Sequence, residues 1–166
     1  MVRTELREHI FKMLFQIEFN TLEEMPKHLE LYFEELTSAK EKDKEYIQKK
    51  LEAVIEKLEE IDAILNEKAT GWKTSRMNKV DLAILRLAVY EIKWDDDVPV
   101  KVAINEAVEL AKRFGGEESP SFVNGVLAKF IPKEGAKEEA EPAKEEIEAK
   151  EEIKAKEETE EAKETV

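Results

Sequence analysis

Apolar side chains recur at steps of three and four residues through most of this chain, a spacing that places them on one side of an α-helix. Ile10, Met13, Leu14 and Ile17 make one such stripe, and Phe11, Phe15 and Phe19 a second at four-residue spacing. A helix with two apolar faces packs against two neighbours. Leu29, Tyr32, Phe33 and Leu36 predict a second helix, opened by a capping box at Thr21-Leu22-Glu23-Glu24 with Pro26 in the first turn. After a polar connection from Thr37 to Asp43, Ile47, Leu51, Val54, Leu58, Ile61 and Leu65 predict one long helix with a coiled-coil-like seam.

Gly71-Trp72 ends this half, and a short turn or helix follows around Thr74 to Asn78. Between Val80 and Trp94, Leu82, Leu85, Ala88, Val89 and Ile92 form a stripe that Ile84 and Leu87 broaden, so this helix belongs at the centre of its subdomain. Asp95-Asp96-Asp97 breaks it. Pro99 suits the opening of the next helix, which carries Ile104, Ala107, Val108, Ala111 and Phe114 and stops at Gly115-Gly116, expected to be left-handed. Ser119-Pro120 reads as an N-cap and first helical residue before Val123, Val126, Leu127 and Phe130. Asn124-Gly125 would signal a hairpin between alternating strands, but its flanks keep helical period. Gly125 is therefore expected where two helices approach closely. The predicted class is all-α: an N-terminal bundle over residues 1–70, a C-terminal bundle over 71–132 and a tail over 133–166.

Charge narrows the function. Of the net −13, residues 133–166 supply −7 from 14 Glu and 7 Lys, leaving −6 on residues 1–132. The tail has too little apolar surface to offset ordering entropy and reads as a solvated appendage. No broad basic face exists, so any site for nucleic acid is local. The chain has no cysteine, which removes disulfides and thiolate metal sites. Neither a secretory leader nor a membrane span is expected, and the reading is a soluble, cytoplasmic protein without a membrane partner.

Catalysis finds no foothold in these residues. The two histidines, His9 and His28, lie among charged neighbours, and no Glu-x-x-His pair builds a di-metal site. The aspartates at 95–97 read as a helix end rather than a metal site, and no glycine-rich loop cradles a nucleotide. We expect no enzyme, no metal and no cofactor.

Three segments together resemble the NusB family. One is Arg3-Thr4-Glu5-Leu6-Arg7-Glu8 leading to Leu14-Phe15-Gln16; another is Trp72, Arg76 and Asp81-Leu82-Ala83-Ile84-Leu85-Arg86-Leu87-Ala88-Val89-Tyr90-Glu91. The most specific runs from Pro99-Val100-Lys101-Val102-Ala103-Ile104-Asn105-Glu106-Ala107 to Gly115, followed by Ser119 and Phe122-Val123-Asn124-Gly125-Val126-Leu127. The resemblance covers residues 3–131. It implies a three-helix N-terminal and a four-helix C-terminal bundle. It also implies a transcription antitermination factor that binds the single-stranded boxA element of nascent ribosomal RNA operon transcripts with the ribosomal protein NusE, acting on transcribing RNA polymerase.

Carried over from that resemblance, Arg3 and Arg7 are expected phosphate contacts, Lys73 and Arg76 inter-bundle loop contacts, and Phe122 a stacking platform. Tyr90, Glu91 and Glu118 are expected at the partner surface. From the residues alone, Arg3 and Arg7 equally suit surface pairs with Glu5 and Glu8, and Phe122 a core position. The first twelve residues hold only Arg3, Arg7 and Lys12 as full positive charges, fewer than the arginine-rich arm of some family members. Two other readings stay open: the RNA-recognition module of an RNA methyltransferase, and a protein-only helical scaffold.

Overall fold

The structure, a computed structural model, describes residues 1–131, and the expected tail at 133–166 lies outside them. Among the described residues seven α-helices follow one another: α1 (Arg3–Gln16), α2 (Met25–Glu35), α3 (Glu41–Glu56), α4 (Leu58–Lys68), α5 (Lys79–Trp94), α6 (Val100–Phe114) and α7 (Ser119–Ala128), with a 3-10 turn at Thr74–Arg76. Among the described residues there is no strand, and no helix is long and apolar enough to cross a membrane.

The most apolar helix sits where its composition sends it. Every residue of α5 from Asp81 to Val89 is buried, and α1, α6, α7 and α4 pack around it. Its start is capped by Asn78, whose Oδ1 accepts the Val80 amide at 2.8 Å. Both predicted faces of α1 are used, but the second stripe ends short: α1 stops at Gln16, and Phe19 beyond it is 64 % exposed. Ile10, Met13 and Leu14 are buried, and Phe11 meets Phe114 with ring centroids 5.2 Å apart. Helix α1 thus packs on α3 and on α5 alike, and residues Met1–Lys129 form one compact unit. The expected boundary at 70/71 falls in the connection between α4 and the 3-10 turn.

Other local expectations need correction. The long helix at 47–65 breaks at Lys57, whose amide reaches back three residues to the Val54 carbonyl at 3.1 Å before α4 restarts. Ile47, Leu51, Val54, Ile61 and Leu65 keep the seam buried, while Leu58 at the break is only half-buried. Thr21 does not cap α2, which starts at Met25 with Pro26 in its first turn and no side-chain cap. Ser119 is not an N-cap but the first residue of α7, its Oγ accepting the Gly116 amide at 3.0 Å.

Glycine 115 is extended rather than left-handed, with φ −87°. It is small for another reason: a Cβ there would lie 2.5 Å from Ser119 Cβ and Oγ. Gly125, expected at a tight helix crossing, faces open space instead. The periodic pattern locates a glycine on a helix but not what lies opposite it.

Candidate nucleic-acid interface

The connection from Ala69 to Asn78 is built to hold an aromatic ring outward. Gly71 takes φ +86°, a left-handed conformation that side-chain-bearing residues rarely adopt. The Trp72 amide then bonds the Ala69 carbonyl at 3.0 Å, closing a tight turn. Met77 plugs the far side of the loop into the core at 4 % exposure, and Thr74 donates its amide to Asn66 Oδ1 at 2.8 Å. From the end of α7, Lys129 Nζ donates to the Lys68 carbonyl and to Thr70 Oγ1, both at 2.7 Å. The loop is therefore tied to α4 and to α7. Trp72 remains 54 % exposed.

Trp72 lies against Phe122, with ring centroids 6.1 Å apart and planes at 70°, an edge-to-face pair. Phe122 is half-buried in the first turns of α7. Lys73 follows Trp72 directly and Arg76 closes the 3-10 turn, and both are exposed. Lys73 thus neighbours in sequence the ring that meets Phe122, and Arg76 lies three residues further along the same loop. Trp72 adds a second ring, which a sequence reading could have flagged as a large aromatic among turn residues. Lys129 had no such signal, because its partners lie 59 and 61 residues away.

Glu118 sits exposed one turn before Phe122, whose amide its carbonyl accepts at 3.0 Å. Beneath this end, Asp81 is buried near the start of α5; one carboxylate oxygen takes the Ser119 hydroxyl and Oδ1 has no partner. Burial raises the Asp81 pKa, partly offset by the Ser119 bond.

Arg7 and Glu91 require correction as surface contacts. Arg7 is 7 % exposed and Glu91 1 % exposed, and they pair bidentately, Nε–Oε1 at 2.9 Å and Nη2–Oε2 at 2.8 Å. Glu106 lies 3.6 Å from Arg7, while Lys50 lies 3.5 Å from Glu91 and also pairs with Asp95. A pair this enclosed has no oxygen or guanidinium edge to offer a phosphate or a partner. Arg7, which the resemblance implied as an RNA contact, instead belongs to a buried ionic network joining α1, α3, α5 and α6.

Arg3 stays exposed, but far from Trp72. Its guanidinium lies over the Tyr46 ring at 5.3 Å and donates to Tyr46 Oη at 3.2 Å, beside Tyr90 and Trp94 near the end of α5. Tyr90 is half-buried and stacks on Trp94. The candidate residues therefore divide between two ends of α5, a helix of 16 residues and so about 24 Å long.

Comparison with known proteins places this geometry. A family model described as the NusB family matches residues 4–132. The transcription antitermination protein NusB of Agathobacter rectalis is 58 % identical over 130 residues, covering 78 % of this chain and 99 % of that protein. The solved structure of T. maritima NusB superposes with a TM-score of 0.68 at 36 % identity, covering 78 % of this chain and 90 % of that one. A crystal structure of the antitermination factors NusB and NusE in complex with dsRNA gives a TM-score of 0.66 at 25 % identity, over 78 % of this chain and 97 % of that one.

Proposed function

The chain belongs to the NusB family, and on that premise we propose that it is a transcription antitermination factor, an adaptor with no catalytic step of its own. It binds the boxA element of nascent ribosomal RNA operon transcripts together with NusE, and the assembly acts on transcribing RNA polymerase. The observation that carries this reading is the Trp72–Phe122 pair, held outward by a clamped loop and flanked by Lys73 and Arg76. Unpaired bases stack on such rings, and cations take the backbone. Two comparisons support it further: the relatives are named as antitermination proteins, and one structural neighbour is a NusB–NusE complex with RNA.

Electrostatics explains why a partner is needed. A chain at −13 repels RNA, and the exposed candidate cations are Arg3, Lys73 and Arg76. Three phosphate contacts to a single strand give a shallow salt slope of about −2. A basic protein docked beside Glu118 adds cations and relieves the repulsion, so RNA and NusE reinforce each other by about 1–3 kcal/mol in both directions.

The test is titration of boxA-type and scrambled RNAs at two salt concentrations, with and without NusE. Tighter binding of boxA RNA when NusE is present is the expected result. Equal affinity for boxA RNA with and without NusE would sink the adaptor reading.

A further inference from the structure

Resting on that RNA-binding reading, we infer that Lys129 is a positioning residue of the site: from the end of α7 it holds the loop that turns Trp72 toward Phe122. The stretch from Thr70 to Lys73 is exposed, between buried Ala69 and the Thr74 amide held by Asn66. Gly71 stands within it at φ +86°, and a Cβ added there would meet nothing within 4 Å. Packing at Gly71 therefore does not hold the turn, and glycine has the most backbone freedom to lose. The Trp72 amide bond to Ala69 closes the turn but does not set its tilt against α7. Lys129 supplies a hold from outside, with Nζ donating to the Lys68 carbonyl and to Thr70 Oγ1, both at 2.7 Å.

Lys129 keeps helical angles, φ −70° and ψ −12°, at the close of α7. Phe122 lies two helical turns before it, so the two share a face and stand about 10 Å apart along the axis. One face of α7 therefore grips the loop twice, by the ammonium at Thr70 and by the Phe122 ring at Trp72. A single contact leaves a loop free to pivot about it. Two contacts remove that freedom. Both acceptors of Lys129 are neutral, and together they take two of its three N–H donors. A lysine that serves as a phosphate contact works as a mobile point charge; this one is spent on fastening. Lys129 and Thr70 are exposed, so the clamp adds little to global stability. Its effect falls on binding, because a loop already ordered spares the RNA the cost of ordering it.

The chain has two tryptophans, so full-length Trp94→Phe leaves Trp72 as the one emitter and is the parent for the test. In it, Thr70→Val removes the acceptor hydroxyl without changing charge, Thr70→Ser keeps that hydroxyl, and Lys129→Met removes the ammonium. In the free protein, Thr70→Val and Lys129→Met should enlarge the nanosecond component of the Trp72 anisotropy decay. Their thermal midpoints should stay within about 5 °C of the parent. With NusE present, both should bind boxA-type RNA about 2- to 12-fold more weakly. Their salt slopes should match the parent, because no phosphate contact is lost. Thr70→Ser should behave as the parent throughout. Unchanged RNA affinity in Thr70→Val and Lys129→Met, while Phe122→Ala still weakens binding, overturns the role of Lys129 and leaves the function proposed above standing. A salt slope shallower by about 0.7 in Lys129→Met, with Thr70→Val like the parent, makes Lys129 a phosphate contact and overturns the clamp as well. No RNA binding by the parent with NusE refutes both.

Discussion

Arg7 and Glu91, 84 residues apart in sequence, meet as a bidentate pair sealed between α1 and α5. The pair costs desolvation on both sides, and its two parallel hydrogen bonds, with Glu106 and Lys50 alongside, offset that cost. It fixes the rotation of α1 against α5. A one-sided change leaves a buried charge unmatched. Arg7→Ala or Glu91→Ala should lose about 3–5 kcal/mol in urea unfolding, while Arg7→Leu with Glu91→Leu together should lose far less. Equal losses for the single and double variants would show that the pair is incidental.

The two glycines that bracket α7's packing should behave oppositely. Gly115→Ala puts a methyl 2.5 Å from Ser119 and 2.8 Å from the Ala111 carbonyl, and should cost about 1–3 kcal/mol. Gly125→Ala enters open space inside α7 and should gain about 0.5–1 kcal/mol. Denaturant midpoints of the two variants decide it, and destabilisation by Gly125→Ala would show that this helix face is not free.

Asp81 gives a pH dependence of definite sign. Burial raises its folded pKa above the ordinary 3.8, so ionised Asp81 opposes folding at neutral pH. That penalty is fully present above the folded pKa. It shrinks as pH falls through that value and is gone below 3.8, where both states are protonated. Asp81→Asn should therefore be more stable than the parent at pH 7, and the difference should close on acidification. A difference that widens toward acid would reverse the assignment.

At the candidate RNA site, Phe122→Ala and Trp72→Ala should each weaken RNA binding by about 1–3 kcal/mol. Trp72, exposed, should leave the thermal midpoint almost untouched. Half-buried Phe122 should cost some stability, but less than the roughly 3 kcal/mol typical of a buried aromatic. Binding by filter retention or fluorescence, paired with thermal melts, separates the two effects; a large stability loss with unchanged affinity for Phe122→Ala would place that ring in the core.

Much of this molecule was legible before any coordinates. The positions of α1, α2, α5, α6 and α7 follow from apolar spacing, because a helix is decided by residues three and four apart, all of them local. Membership of the NusB family rested on a long contiguous string, which is also local information. Phe122 could be placed at the start of a helix beside a proline, though its exposure could not.

The relations between helices had to come from the tertiary structure. Arg3 and Arg7 share one helix face in the sequence pattern, yet one is exposed over Tyr46 and the other sealed against Glu91. The break at Lys57, the clash that requires Gly115 and the clamp from Lys129 to Thr70 are likewise invisible to periodicity. The reason is physical. Local spacing says which side of a helix is apolar, but the partner of a charge depends on how helices are rotated and offset. That rotation comes from many small packing contacts summed over the whole core.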